Sequence, residues 1–182
     1  MMIPNLITIL RFLLVPMVIY AILADNMLLA FIGFVAAGVS DGIDGWLARW
    51  LDQRSELGAY LDPVADKLLL TSVFIALGLM QIIPLWLMVI VVSRDLLIVG
   101  GVLIAAVMAH PIAMKPLYVS KANTAAQIVL AAMALGGAAF DLDLAAANWV
   151  LVVIVAALTV ASTAAYLVVW FNHMAGSSAE DA

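Results

Sequence analysis

Residues 27–66 read MLLAFIGFVAAGVSDGIDGWLARWLDQRSELGAYLDPVAD: two apolar stretches, each with a pair of aspartates, Asp41 and Asp44 in the first, Asp62 and Asp66 in the second. An ionised carboxylate costs at least a few kcal/mol inside a membrane span, so each of them needs a reason to be there. At about 100° per residue on a helix, Asp44 lies roughly 60° from Asp41 and Asp66 roughly 40° from Asp62, so each pair shares a face. The intervening connection is short. The two helices therefore run antiparallel, and both pairs fall toward the same end, within about 10–14 Å of it.

The rest of the chain supports a membrane setting. Its 182 residues are 68% hydrophobic and 10% charged, too apolar to cover a folded domain with a polar surface in water. Several apolar runs exceed the roughly 20 residues a helix needs to cross a bilayer, which points to a helical bundle rather than a barrel. The expectation is an all-α polytopic membrane protein with six transmembrane helices, at about 5–24, 27–50, 59–80, 85–109, 122–140 and 147–171. Residues 1–172 form one domain, and 173–182 a short, polar, frayed tail. The Ile3 to Ala24 run, interrupted by Pro4, Asn5, Arg11 and Pro16, reads as a retained first span and not a signal peptide.

With no cysteine, disulfides and thiolate chemistry are excluded. All seven basic residues (Arg11, Arg49, Arg54, Lys67, Arg94, Lys115 and Lys121) lie within spans or in the connections shared with the termini, while the other connections hold only Asp25, Asp141 and Asp143. The positive-inside rule then places both termini in the cytoplasm, with a site near that end opening to the cytoplasmic side, as in a bacterial inner membrane. Nothing suggests a nucleic-acid partner.

Four carboxylates gathered at low dielectric repel one another unless cations are present, and hard oxygen ligands suit Mg²⁺, Mn²⁺ or Ca²⁺. Two divalent ions would neutralise all four. The formal charge of −5 agrees, because setting these four aside leaves eight acids against seven bases. Gly38, Gly45 and Ala48 fall within about 60° of Asp41, so a phosphate could approach the backbone of that face closely. The competing reading is a buried ion-pair network with small residues for helix packing, but Arg49 and Lys67 are too few to neutralise so much charge.

Asp41, Asp44, Gly45, Ala48, Arg49, Gly58, Asp62 and Asp66 reproduce the signature D-x-x-D-G-x-x-A-R-x8-G-x3-D-x3-D. On these residues the chain resembles the CDP-alcohol phosphatidyltransferase family, whose members share a six-span fold and typically form homodimers. The resemblance implies that Asp41, Asp44, Asp62 and Asp66 hold two divalent cations and that Asp66 is the catalytic base. It also implies that Gly45, Ala48, Arg49 and Gly58 line the site for CDP-diacylglycerol.

The opening Pro4 to Arg11 resembles the first span of both phosphatidylglycerophosphate synthases and CMP-forming cardiolipin synthases. Asn5, Thr8 and Arg11 follow i, i+3 spacing, so Asn5 and Thr8 can meet the CDP-lipid; an N-cap with a snorkelling arginine is the other reading. Ser93-Arg94-Asp95, the run Lys115 to Gln127, and Thr163 to Tyr166 resemble mitochondrial-type cardiolipin synthases. Glycerophosphate-accepting relatives usually carry a second arginine at the position of Val102. The favoured acceptor is therefore phosphatidylglycerol, giving cardiolipin and CMP, with Arg94 and Lys121 holding its phosphate. Arg94–Asp95 as a structural pair and Lys121 as an interfacial anchor are the bland readings. Glycerol-3-phosphate is the alternative acceptor, and a membrane carrier or non-catalytic lipid-binding protein the alternative class. His110 and His173, the tryptophans and the methionines read as interfacial and packing residues.

Overall fold

The computed structural model describes the backbone of residues 3–51, 56–107 and 118–180, and the side chains of residues 13–40, 67–100, 118–168 and 170. Among these residues all regular structure is helical: α1 (Ile3–Leu23), α2 (Met27–Leu51), α3 (Glu56–Leu79), α4 (Leu85–Val107), α5 (Tyr118–Ala139) and α6 (Ala145–Glu180). The six expected segments are all helices. Helix α5 begins at Tyr118 rather than near 122, which brings Ser120 and Lys121 into its first turn, and α6 carries helical backbone on to Glu180, through most of the segment read as frayed.

The three short connections end in one way. Asp25, Gln81 and Asp141 take the left-handed conformation, with φ of 57°, 58° and 52°. After α1, Asn26 N–H donates to the Ala21 carbonyl and Asp25 N–H to that of Ile22; after α3, Ile82 and Gln81 donate to Leu77 and Gly78. Leu142 N–H donates to the Gly137 carbonyl after α5. These bonds close the last-turn carbonyls that a helix end otherwise leaves without partners. Asn26 then starts α2, its Oδ1 accepting from Leu29 N–H at 3.2 Å, the geometry of an N-cap. Tight reversal makes each pair antiparallel.

Packing closes the helices into a ring: α1 against α2, α2 against α5, α5 against α6, α6 against α4, α4 against α3, and α3 back against α1, with α3 and α5 also touching across the middle. Phe74, Leu77, Leu87, Leu130, Leu135 and Val155 are buried between these helices. The outer faces are apolar too. Leu13, Tyr20, Ile32, Leu79, Leu96, Leu97, Val129, Trp149, Val153 and Leu167 are exposed, more apolar surface than a protein in water presents. Among the described residues, Tyr118–Ala139 and Ala145–Val168 are each long and apolar enough to cross a membrane.

Candidate active site

A cavity of about 460 Å³ lies between α2, α3, α4 and α5. Its lining is mostly apolar, with Phe34, Val39, Leu70 and Ile128 among the walls, and its polar groups are Lys67, Asp95, Thr124 and Gln127. Gly38, Lys67, Asp95 and Gln127 each stand ten to twelve residues from the short-connection end of their helices, about 15–18 Å along the axis. At Gly38 a Cβ would meet nothing within 4 Å, so this part of the α2 face is bare backbone open to the cavity.

On both α2 and α3 the signature continues directly from the cavity wall, away from the short connections. Asp41 and Asp44 follow Val39 on α2, and Asp66 and Asp62 precede Lys67 on α3. The antiparallel helices thus carry both pairs past the same end of the cavity. Gly45, Ala48 and Arg49 are on α2, Gly58 on α3, and Asn5 and Thr8 on α1; the side chains of all these signature and first-span residues lie outside the described ones. The side chain of Val102, on α4, and the Lys115 end of the Lys115 to Gln127 run lie outside them as well.

The described polar centre is built around Asp95. Its Oδ1 receives Lys67 Nζ at 2.9 Å and Arg94 Nη1 at 2.6 Å. Arg94 is only 2% exposed, and its Nη2 donates to Ser120 Oγ at 2.6 Å and Ser162 Oγ at 2.7 Å. The Tyr166 ring centroid lies 5.8 Å from the guanidinium carbon. One arginine thereby ties α4 to α5 and α6: its charge in an apolar interior has a counter-ion and hydrogen bonds at both terminal nitrogens, while its Nε has no partner among the described residues.

Of the two sequence readings of Arg94, phosphate holder or structural pair with Asp95, this geometry has the form of the pair. Both terminal nitrogens of Arg94 are engaged within the protein, and it has no place in the cavity lining. Among the described residues, the cation that lines the cavity is Lys67, with 47% of its side chain exposed. Lys121 is exposed, its Nζ 5.8 Å from the Tyr118 ring centroid.

Sequence reasoning gave no role to the polar stripe along α5. Asn123 is buried and its Oδ1 accepts from Thr159 Oγ1 at 3.0 Å, while Thr124 Oγ1 donates to the Ser120 carbonyl at 3.2 Å. Gln127 is 2% exposed, and its Nε2 has no hydrogen-bond partner. The signal was present as Ser120, Asn123, Thr124 and Gln127 at helical spacing in an otherwise apolar segment.

Residues 1–161 match the model of the CDP-alcohol phosphatidyltransferase family. The chain is 33% identical over 155 residues to a human cardiolipin synthase (CMP-forming), covering 76% of this chain and 52% of that protein. The corresponding rat protein is 34% identical over 155 residues, 76% of this chain and 51% of that one. A chloroplastic CDP-diacylglycerol–glycerol-3-phosphate 3-phosphatidyltransferase 1 from Oryza sativa subsp. japonica is 35% identical over 182 residues, 90% of this chain and 55% of that protein. The chain spans about half the length of the curated relatives it matches. With the family model covering most of the chain and the aspartate signature carried on two antiparallel helices beside a cavity, this protein belongs to the CDP-alcohol phosphatidyltransferase family.

Proposed function

We propose that this protein transfers the phosphatidyl group of CDP-diacylglycerol to a hydroxyl of phosphatidylglycerol, giving cardiolipin and CMP. The observation that carries the choice of acceptor is the charge and lining of the cavity. Lys67 lines the cavity beside mostly apolar walls, and because Asp95 is shared with the buried Arg94 behind it, the three-residue cluster keeps one net positive charge. A phosphodiester carries one negative charge and a lipid brings apolar surface, whereas glycerol-3-phosphate approaches two charges and brings none. The relatives of both kinds leave the acceptor open on similarity alone.

The donor set of Asp41, Asp44, Asp62 and Asp66 fits hard divalent cations, since it offers only carboxylate oxygens at one-turn spacing on two adjacent stretches of helix. Bound there, two such ions supply positive charge to the pyrophosphate of the CDP-lipid. The bare backbone around Gly45 and Ala48 admits the nucleotide, and Asn5, Thr8, Arg49 and Gly58 complete that side. Asp66 takes the proton of the acceptor hydroxyl as its oxygen bonds to the lipid-linked phosphorus. The phosphoanhydride bond on the far side of that phosphorus breaks, and CMP leaves with the electron pair. Lys121, at the start of α5 and one turn before Thr124, meets the acceptor headgroup.

The apolar outer faces on every helix support six membrane spans, with both termini and the aspartates toward the cytoplasmic side. A homodimer is the assembly the family resemblance implies. The direct test supplies purified protein with CDP-diacylglycerol and equal concentrations of phosphatidylglycerol and glycerol-3-phosphate, and identifies the lipid products by mass. Cardiolipin as the main product is expected; phosphatidylglycerophosphate would overturn the acceptor and leave the family standing.

A further inference from the structure

We infer that Lys67, Gln127 and Thr124 form a headgroup subsite within the α2–α5 cavity, with an anionic phosphodiester on the Lys67 ammonium and a neighbouring alcohol hydroxyl on the Gln127 amide. Asp95 is the residue that positions Lys67. The inference deepens the phosphatidyl-transfer reading and rests on it.

Three observations converge. Gln127 is 2% exposed, lines the cavity and has an Nε2 without a partner. Leaving a buried amide donor unsatisfied costs about 1–3 kcal/mol, and a group entering the cavity would satisfy it. Glutamine presents a donor and an acceptor on one amide, matching a hydroxyl, which both donates and accepts. Lys67 has three donors, of which Asp95 Oδ1 takes one at 2.9 Å, leaving two for phosphate oxygens. The Thr124 hydroxyl proton is spent on the Ser120 carbonyl, so toward the cavity its oxygen acts as an acceptor for a second hydroxyl.

Lys67 also follows Asp66 directly on α3, so the subsite and the assigned base stand at the same level of that helix, about 1.5 Å apart along its axis. About 460 Å³ lies within the range of roughly 300–1,000 Å³ typical of small-molecule sites. The apolar walls suit the lipid portion that follows a headgroup. The anionic phosphate on Lys67 could come from the acceptor or from the CDP-lipid, whose diacylglycerol half has no free hydroxyl to offer Gln127, and kinetics with both substrates varied separates them.

The test measures CMP release by the full chain in nanodiscs for Lys67→Met, Gln127→Leu and Lys67→Arg. An acceptor KM raised tenfold or more in the first two, an unchanged KM for CDP-diacylglycerol, and recovery in Lys67→Arg are expected. Asp95→Asn should raise the acceptor KM less, and add nothing when combined with Lys67→Met. A shift confined to the CDP-diacylglycerol KM, or a fall in kcat with both KM values unchanged, overturns the subsite. Thermal stabilisation by CDP-diacylglycerol checks folding; a variant that lacks it is replaced by Lys67→Gln or Gln127→Met, which keep the size, and those decide. Should the wild-type protein turn over glycerol-3-phosphate instead, the lipid-acceptor reading fails, and the same KM split on that substrate decides the subsite separately.

Discussion

Lys67 on α3 and Arg94 on α4 converge on one atom, Oδ1 of Asp95, at 2.9 and 2.6 Å. The two cations differ in what else they do. Arg94 is buried and its remaining terminal nitrogen is bound by Ser120 and Ser162, whereas Lys67 keeps donors free at the cavity. A single carboxylate thus joins a structural charge to a functional one.

Removing that carboxylate strands a buried guanidinium. Asp95→Leu should cost about 3–5 kcal/mol, the usual penalty for breaking one side of a buried pair. Arg94→Met combined with Asp95→Leu should recover most of the loss, because the charge left without its partner, on Lys67, is half exposed rather than buried. Thermal unfolding in nanodiscs reads both. Equal destabilisation by the single and double variants would mean that charge burial is not what sets the cost.

Chemistry at the aspartates should separate by role. Asp66→Asn keeps shape and removes the proton acceptor, so turnover should fall at least a hundredfold while CDP-diacylglycerol binding stays measurable. Asp41→Asn should weaken that binding too, through loss of a ligand to the divalent ions. Exhaustive chelation should abolish CMP release by the wild-type protein and its recovery should follow added Mg²⁺ or Mn²⁺. Turnover undiminished by chelation would remove the metal role from the carboxylates.

The helices were legible in the sequence because apolar length alone demands them, and the aspartate signature because charge in a bilayer is conspicuous. The Arg94–Asp95 pair was legible as one of two readings of that arginine, but its serine partners were not. Its partners Ser120 and Ser162 lie 26 and 68 residues away, and only the ring order, with α4 against α6 and α6 against α5, brings them together. Lys67 was visible as a base, but whether it faced the cavity or the lipid depended on helix rotation within the bundle. The onset of α5 at Tyr118 rather than near 122 was missed because Ser120 and Lys121 look like loop until the contact of Ser120 with Arg94 on α4 is known.

A chain without cysteine permits topology to be read by single-cysteine labelling. Cysteines at Asn26, Gln81 and Asp141 should react with a membrane-impermeant maleimide from one side of sealed vesicles, and one at Ser177 from the other. All four reacting from the same side would exclude a six-span bundle with cytoplasmic termini.

Two glycines one helix apart make the strongest contrast between packing and function. A Cβ at Gly78 would lie 2.7 Å from Met88 Sδ and 2.8 Å from Met88 Cβ, so the close approach of α3 and α4 depends on its absence. Gly78→Leu should therefore destabilise by about 1–3 kcal/mol through overpacking. At Gly38 a Cβ meets nothing within 4 Å, and leucine is a better helix former by just under about 1 kcal/mol, so the fold should accept Gly38→Leu. Its side chain would project into the cavity shared by Lys67 and Gln127 and occupy space the acceptor needs. Unfolding temperature should hold within a few degrees while kcat/KM for the acceptor falls at least tenfold. Wild-type kinetics in a stable Gly38→Leu protein would show that the acceptor does not use this cavity.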